Sequence, residues 1–127
     1  MKEIISTSKA PGAIGPYNQA TTYQDLVFTS GQIPLVPSTM EIVEGGIKEQ
    51  SQLVLEHLKT VLEEAGSSLD NVVKTTCYLA NMDDFVQFNE IYSKFFDNVN
   101  APSRATVAVK TLPKNVLVEV DAIAFKK

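Results

Sequence analysis

Two helical segments and about six strand-like segments predict an α+β fold, with one sheet carrying both helices on one face. Three observations lead to that class. First, the 127-residue chain is the size of one domain, residues 1–127, and large enough for a real core. Second, residues 47–65 and 85–96 space their apolar side chains three or four apart, as amphipathic helices do. Third, residues 26–30, 72–79 and 104–125 are rich in β-branched and aromatic side chains.

The elements follow in order. After a short apolar start, Ala10 to Tyr17 is a Gly/Pro-rich loop. Thr21-Thr22-Tyr23 and Leu26 to Ser30 read as strands around a Gln24-Asp25 turn. Gly31-Gln32 interrupts before Ile33-Pro34-Leu35-Val36, whose proline denies it a central strand position. Gly45-Gly46 turns the chain into the first helix. Leu53/Val54, Leu58 and Val61/Leu62 form its apolar stripe, and Gly66 is placed to end it. Val72 to Leu79 is a β-branched strand. Asn81 offers an N-cap to the second helix, with Asp83 and Asp84 in the first turn. Phe85, Phe88, Ile91/Tyr92 and Phe95/Phe96 supply that helix's buried stripe. Residues 104–125 close the chain as an expected hairpin around Leu112-Pro113.

Phe28, Val107, Leu117 and Ile123 give the strands more apolar surface than a solvated sheet face tolerates. A second copy of the chain is the simplest cover, so a homo-oligomer is expected. The net charge of −4, with no Lys/Arg run, argues against nucleic acid as a partner. The N-terminus lacks a signal-peptide apolar core, and no run of the chain has the length of a membrane span. One cysteine cannot form an internal disulfide, which fits a cytoplasmic protein.

Arg104 and Glu119 stand out because each interrupts a stretch that otherwise reads as buried strand. A carboxylate among valines is expensive to desolvate, and a guanidinium suits a planar carboxylate. In the hairpin register, Thr106 lies opposite Glu119 and Arg104 opposite Asp121, whereas a one-residue slip puts Arg104 and Glu119 on opposite faces. A structural ion pair and an anion clamp beside a carboxylate are both consistent with this pattern.

Other groups are less specific. Ser30-Gly31 offers a hydroxyl and a closely approachable backbone, suited to a carboxylate oxygen, or is a simple strand end. His57, the only histidine, reads as a surface helix residue remote from any serine, so a Ser-His hydrolase is not indicated. Cys77 reads as a small buried hydrophobe. No spaced ligand cluster points to a metal, and Gly12 and Gly15 are not followed by a phosphate-loop Lys-Ser/Thr. Tyr17 sits behind Gly15-Pro16, over a pocket or on a surface loop. Asn89 reads by default as an exposed helix amide.

Several segments occur together in a recognisable order. These are Ala13-Ile14-Gly15-Pro16-Tyr17, Thr29-Ser30-Gly31-Gln32-Ile33-Pro34, Leu62-Glu63-Glu64-Ala65-Gly66, Val73-Lys74-Thr75-Thr76, Pro102-Ser103-Arg104 and Leu112-Pro113-Lys114-Asn115 through Glu119. Over nearly the whole chain they resemble the reactive intermediate/imine deaminase family, also called the YjgF family, in its deaminase-active branch. The resemblance implies a chorismate-mutase-like α+β subunit with a six-stranded, mostly antiparallel sheet. It also implies a homotrimer around a central barrel, with active sites between subunits. The implied activity is cofactor-free hydrolysis of 2-enamine and 2-imine acids, such as 2-aminoacrylate and 2-aminocrotonate, to 2-keto acids and ammonia. Arg104 would clamp the substrate carboxylate and Glu119 would activate water. Tyr17, Ser30, Gly31, Asn89 and Thr106 would shape the pocket, Thr106 standing where many relatives have cysteine. The alternative is a non-catalytic module that binds 2-keto acids or other small carboxylates at the same cleft.

Overall fold

The computed structural model describes residues Met1–Lys127. It contains β1 (Glu3–Ile5), β2 (Ala20–Tyr23), β3 (Leu26–Thr29), α1 (Ile47–Glu64), β4 (Val72–Leu79), α2 (Phe85–Phe95), β5 (Ser103–Ala108) and β6 (Val118–Phe125). The six strands form one sheet in the order β1-β2-β3-β6-β4-β5. Only the β4–β5 pairing is parallel. The α+β class, the six strands and the two helices are therefore as the sequence predicts.

Both helices pack on the face formed by Val27, Cys77, Leu79, Val118, Val120, Ala122 and Ala124. Val54, Leu55, Leu58, Val61 and Leu62 of α1 and Phe88, Ile91 and Tyr92 of α2 complete one continuous core. One half of a capping box starts α1, where the Gly46 N–H donates to Glu49 Oε1 at 2.8 Å. Gly66 ends it at φ 82°, a conformation that suits a residue without a Cβ. Asn81 does accept a capping bond from the Asp83 N–H. It caps the short 3₁₀ turn Met82–Asp84, which then leads into α2.

The closing hairpin is not formed. β4 lies between β5 and β6, parallel to the first and antiparallel to the second. A nine-residue connection, 109–117, spans that gap instead of turning tightly, because the long β-branched β4 pairs along both of its edges. Thr75 is the common neighbour of Arg104 and Ala122, while Tyr78 is opposite both Val107 and Glu119. Side-chain alternation then puts Arg104 and Thr106 on the helix side, and Glu119 and Asp121 on the other.

That other face carries no helix. Phe28, Val107 and Phe125 are 40%, 45% and 42% exposed there, which is the uncovered apolar surface expected from the strand pattern. Leu117 does not contribute to it. It precedes β6, packs against the core edge and donates its backbone N–H to Gln50 Oε1 at 2.7 Å.

His57 corrects the surface reading. It is buried on α1, with Nε2 2.7 Å from the carbonyl of Leu35, so it ties the 33–36 segment to the helix. A lone histidine between Glu56 and Leu58 gives no sign in sequence that a loop folds over it. Burial lowers its pKa from the ordinary 6.5. Both folded and unfolded chains hold it neutral above that value. As pH falls below it, the unfolded chain takes the proton first and stability is lost. The melting temperature is expected to drop from about pH 7 to about pH 5, and His57→Gln should make that drop shallower.

Candidate functional site

Two half-sites form on opposite faces of the sheet. The first is a cleft of about 560 Å³ beside Glu119. Gln32 and Val120 exchange backbone hydrogen bonds of 2.8 and 3.2 Å, laying the β3 exit alongside β6. Gly31 is thereby pressed against Glu119. A Cβ at Gly31 would collide with Oε2 and sit 2.7 Å from Cδ, so only glycine leaves room for the carboxylate.

Ser30 and Tyr17 line the same cleft, with Ile14 and Ile33 as apolar wall. The Ser30 hydroxyl donates to the Asn18 carbonyl, and its N–H donates to the Gln19 carbonyl at 2.9 Å. Its oxygen is thus an acceptor towards the cleft. Gln19 anchors the Tyr17 loop from below. Its buried side chain accepts from the Thr7 N–H at 2.6 Å and donates to the Pro11 carbonyl at 2.8 Å.

Burial, followed by the like charge of Asp121 on the same face, raises the Glu119 pKa above its ordinary 4.5. Arg104, on the far side of the sheet, does not offset this. The chain's two ion pairs, Lys48–Glu90 and Lys126–Glu3, leave Glu119 without a cation partner.

The second half-site is built on Arg104. Its guanidinium lies over the Tyr92 ring at 4.6 Å and the Phe85 ring at 5.5 Å. Nη1 donates to Asn89 Oδ1 at 2.8 Å. Tyr92 is itself fixed by a 2.8 Å hydrogen bond between its hydroxyl and Thr75 Oγ1. Asn89 is therefore a half-buried anchor of Arg104, which corrects the exposed-amide reading. A guanidinium held flat by two rings and one amide keeps further N–H donors for a planar anion. An open hollow of about 390 Å³ borders it, lined by Asn89, Tyr92, Ser93 and Pro102 among others.

Thr106 lies on Arg104's face, and its Oγ1 is buried without a hydrogen-bond partner. Cys77 beside it is buried, and desolvation pushes its thiol up to about 11, so it stays a protonated, inert hydrophobe.

Tyr17, Ser30, Gly31 and Glu119 are thus brought together, and so are Asn89, Arg104 and Thr106. The two sets are not joined within one chain. The supporting rings of Tyr92 and Phe85 were legible only as a core stripe. Lys114, on the cleft rim, was visible within Leu112-Pro113-Lys114-Asn115 but carried no assigned role.

Comparison with known proteins places these features in context. Residues 7–126 match the family model described as Endoribonuclease L-PSP. A RutC family protein of Pyrococcus abyssi is 52% identical over 126 residues, covering 99% of this chain and 98% of that one. Escherichia coli TdcF, which bears the name "putative reactive intermediate deaminase", is 44% identical over 128 residues, covering 99% of this chain and 98% of that one. The structure of TdcF with bound serine matches with a TM-score of 0.91 at 43% identity, over 98% of this chain and 99% of that chain. Yeast Mmf1 matches with a TM-score of 0.96 at 40% identity, over the whole of both chains.

Proposed function

The chain belongs to the Endoribonuclease L-PSP family, which includes the reactive intermediate deaminases, and on that premise we propose that it hydrolyses 2-imino and 2-enamino acids such as 2-aminoacrylate and 2-aminocrotonate to 2-keto acids and ammonia. It works in the cytoplasm as a homotrimer around a central barrel, with each active site shared between two subunits. One observation carries the reading. The Glu119 carboxyl and the Arg104 guanidinium border separate clefts on opposite faces of one sheet, which supports a site that pairs one residue with its counterpart on a neighbouring subunit. The uncovered apolar face of the sheet supports the assembly. The small amino acid held by TdcF is of the matching size and charge.

Arg104 of one subunit binds the substrate carboxylate through a planar fork. Glu119 of the next takes a proton from water as the water oxygen bonds to C2 of the imine. That proton is passed to nitrogen to give a carbinolamine; the carboxylate then carries the hydroxyl proton to nitrogen, the C–N bond breaks, and ammonia leaves as the carbonyl forms. An enamine first tautomerises to the imine. Water and a base are sufficient for this chemistry, so no cofactor is invoked. Asn89 acts through Arg104, and Thr106, with its hydroxyl buried, shapes the wall beside Arg104. Tyr17, Ser30 and Gly31 complete the wall around C2. The single histidine is buried against Leu35, away from the cleft, which favours small-molecule hydrolysis over RNA cleavage.

The test couples a threonine or serine dehydratase to the protein and follows 2-keto acid release. Faster release is the expected result. No acceleration overturns the deaminase and leaves a small-carboxylate binding module. Gly31→Ala is expected to lower turnover by on the order of 10²-fold by displacing the Glu119 carboxylate, measured in the same assay with the fold checked by circular dichroism.

A further inference from the structure

The Glu119 cleft holds one cation that the hydrolysis does not use. Lys114 lines it on the side of Pro113. Lys114 and Asn115 both adopt left-handed backbone conformations, at φ 56° and 58°. Residues with side chains hold such a pair only where the surroundings enforce it, commonly at functional sites. The Lys114 ammonium donates to the Met40 carbonyl at 3.0 Å and takes part in neither of the chain's ion pairs. An ammonium has three donors, so this contact fixes its position and leaves two free. No ion pair joins Lys114 to Glu119, so the ammonium stands apart from the reacting carboxylate. Apolar Ile14, Ile33 and Pro113 line the same cleft. Such a cleft has a reacting end, a short apolar wall and a distal positive charge.

We propose that Lys114 is a specificity-determining residue that binds a second carboxylate on the substrate side chain, so that the cleft accepts 2-imino dicarboxylic acids. This rests on the deaminase reading and names a substrate class for it. The α-carboxylate goes to the neighbouring Arg104, C2 lies at Glu119, and a spacer of one or two methylenes runs along the apolar wall to Lys114. A charge-assisted hydrogen bond replaces water at the ammonium, while the Met40 contact is kept.

The test has two readouts. In calorimetry with the product-like acids 2-ketoglutarate and 2-ketobutanoate, Lys114→Met is expected to reduce the diacid-to-monoacid affinity ratio by about tenfold, the loss of one charge-assisted bond. Lys114→Arg, which keeps the cation, should preserve the ratio. In turnover, imines generated by amino-acid oxidases from glutamate and from alanine should show the same change in the ratio of kcat/KM, mainly through KM. Lys114 is exposed, so loss of folding is not the expected outcome of either substitution. An affinity ratio unchanged in Lys114→Met overturns the inference, and if that protein still hydrolyses the alanine-derived imine, the deaminase reading stands. A ratio that falls while wild-type protein hydrolyses no imine retains the Lys114 subsite and overturns the deaminase.

Discussion

Glu119→Gln is expected to slow imine hydrolysis by about 10²–10⁴-fold, the usual contribution of a positioned general base. The amide matches the carboxylate in size, so it fits against Gly31 and leaves the cleft's shape in place. Affinity for a 2-keto acid should survive, because the clamp is Arg104. A protein that loses turnover and keeps affinity is a catalyst; one that shows no turnover to lose is the binding module. The pH profile follows from the same environment. Burial and Asp121 raise the Glu119 pKa above 4.5, and a base works only when deprotonated. The acid limb of kcat/KM should therefore lie above pH 4.5, with activity lost as pH falls through it. Asp121→Asn should move that limb to lower pH by removing the like charge. A limb unmoved by this change would detach Glu119 from the rate.

Arg104→Ala is expected to lower kcat/KM by about 10²–10³-fold, the scale for truncating one partner of a desolvated charge pair. The assembly should stay intact, since the side chain faces α2 rather than the apolar sheet face. Arg104→Lys should recover little of this. A point charge cannot reproduce a fork held flat by Tyr92, Phe85 and Asn89. The strongest form of the experiment mixes two dead proteins. If each site takes Arg104 from one subunit and Glu119 from the next, co-refolding Arg104→Ala with Glu119→Gln restores about a quarter of the sites in a closed ring. If both residues came from one chain, mixing would restore nothing. That outcome would overturn the shared site.

Much of the fold was legible because period and punctuation are local. Helix α1 fell within one residue of its expected bounds, and β4 fell on them, since the 3.6-residue stripe and the Val72–Leu79 run are written in consecutive residues. The candidate residues stood out in the sequence for a related reason: charges among valines are costly unless paired, and their motifs occur in a recognisable order. Partners were not legible. Arg104 and Glu119 were expected on neighbouring strands, and β4 came between them, because long-range pairing is decided by which edges are left open. Asn89 and His57 looked exposed because nothing adjacent in sequence reveals that Arg104 or the Leu35 carbonyl will reach them.

The sequence by itself determined the α+β class, the two helices, the surplus of apolar sheet surface and the identity of the acid and the cation. Only the tertiary structure decided where those two groups point. Side chains alternate across a strand, so the insertion of β4 and its register send Arg104 to the helix face and Glu119 to the bare one. Alternation is local and is written in the chain, whereas register is a property of the whole sheet.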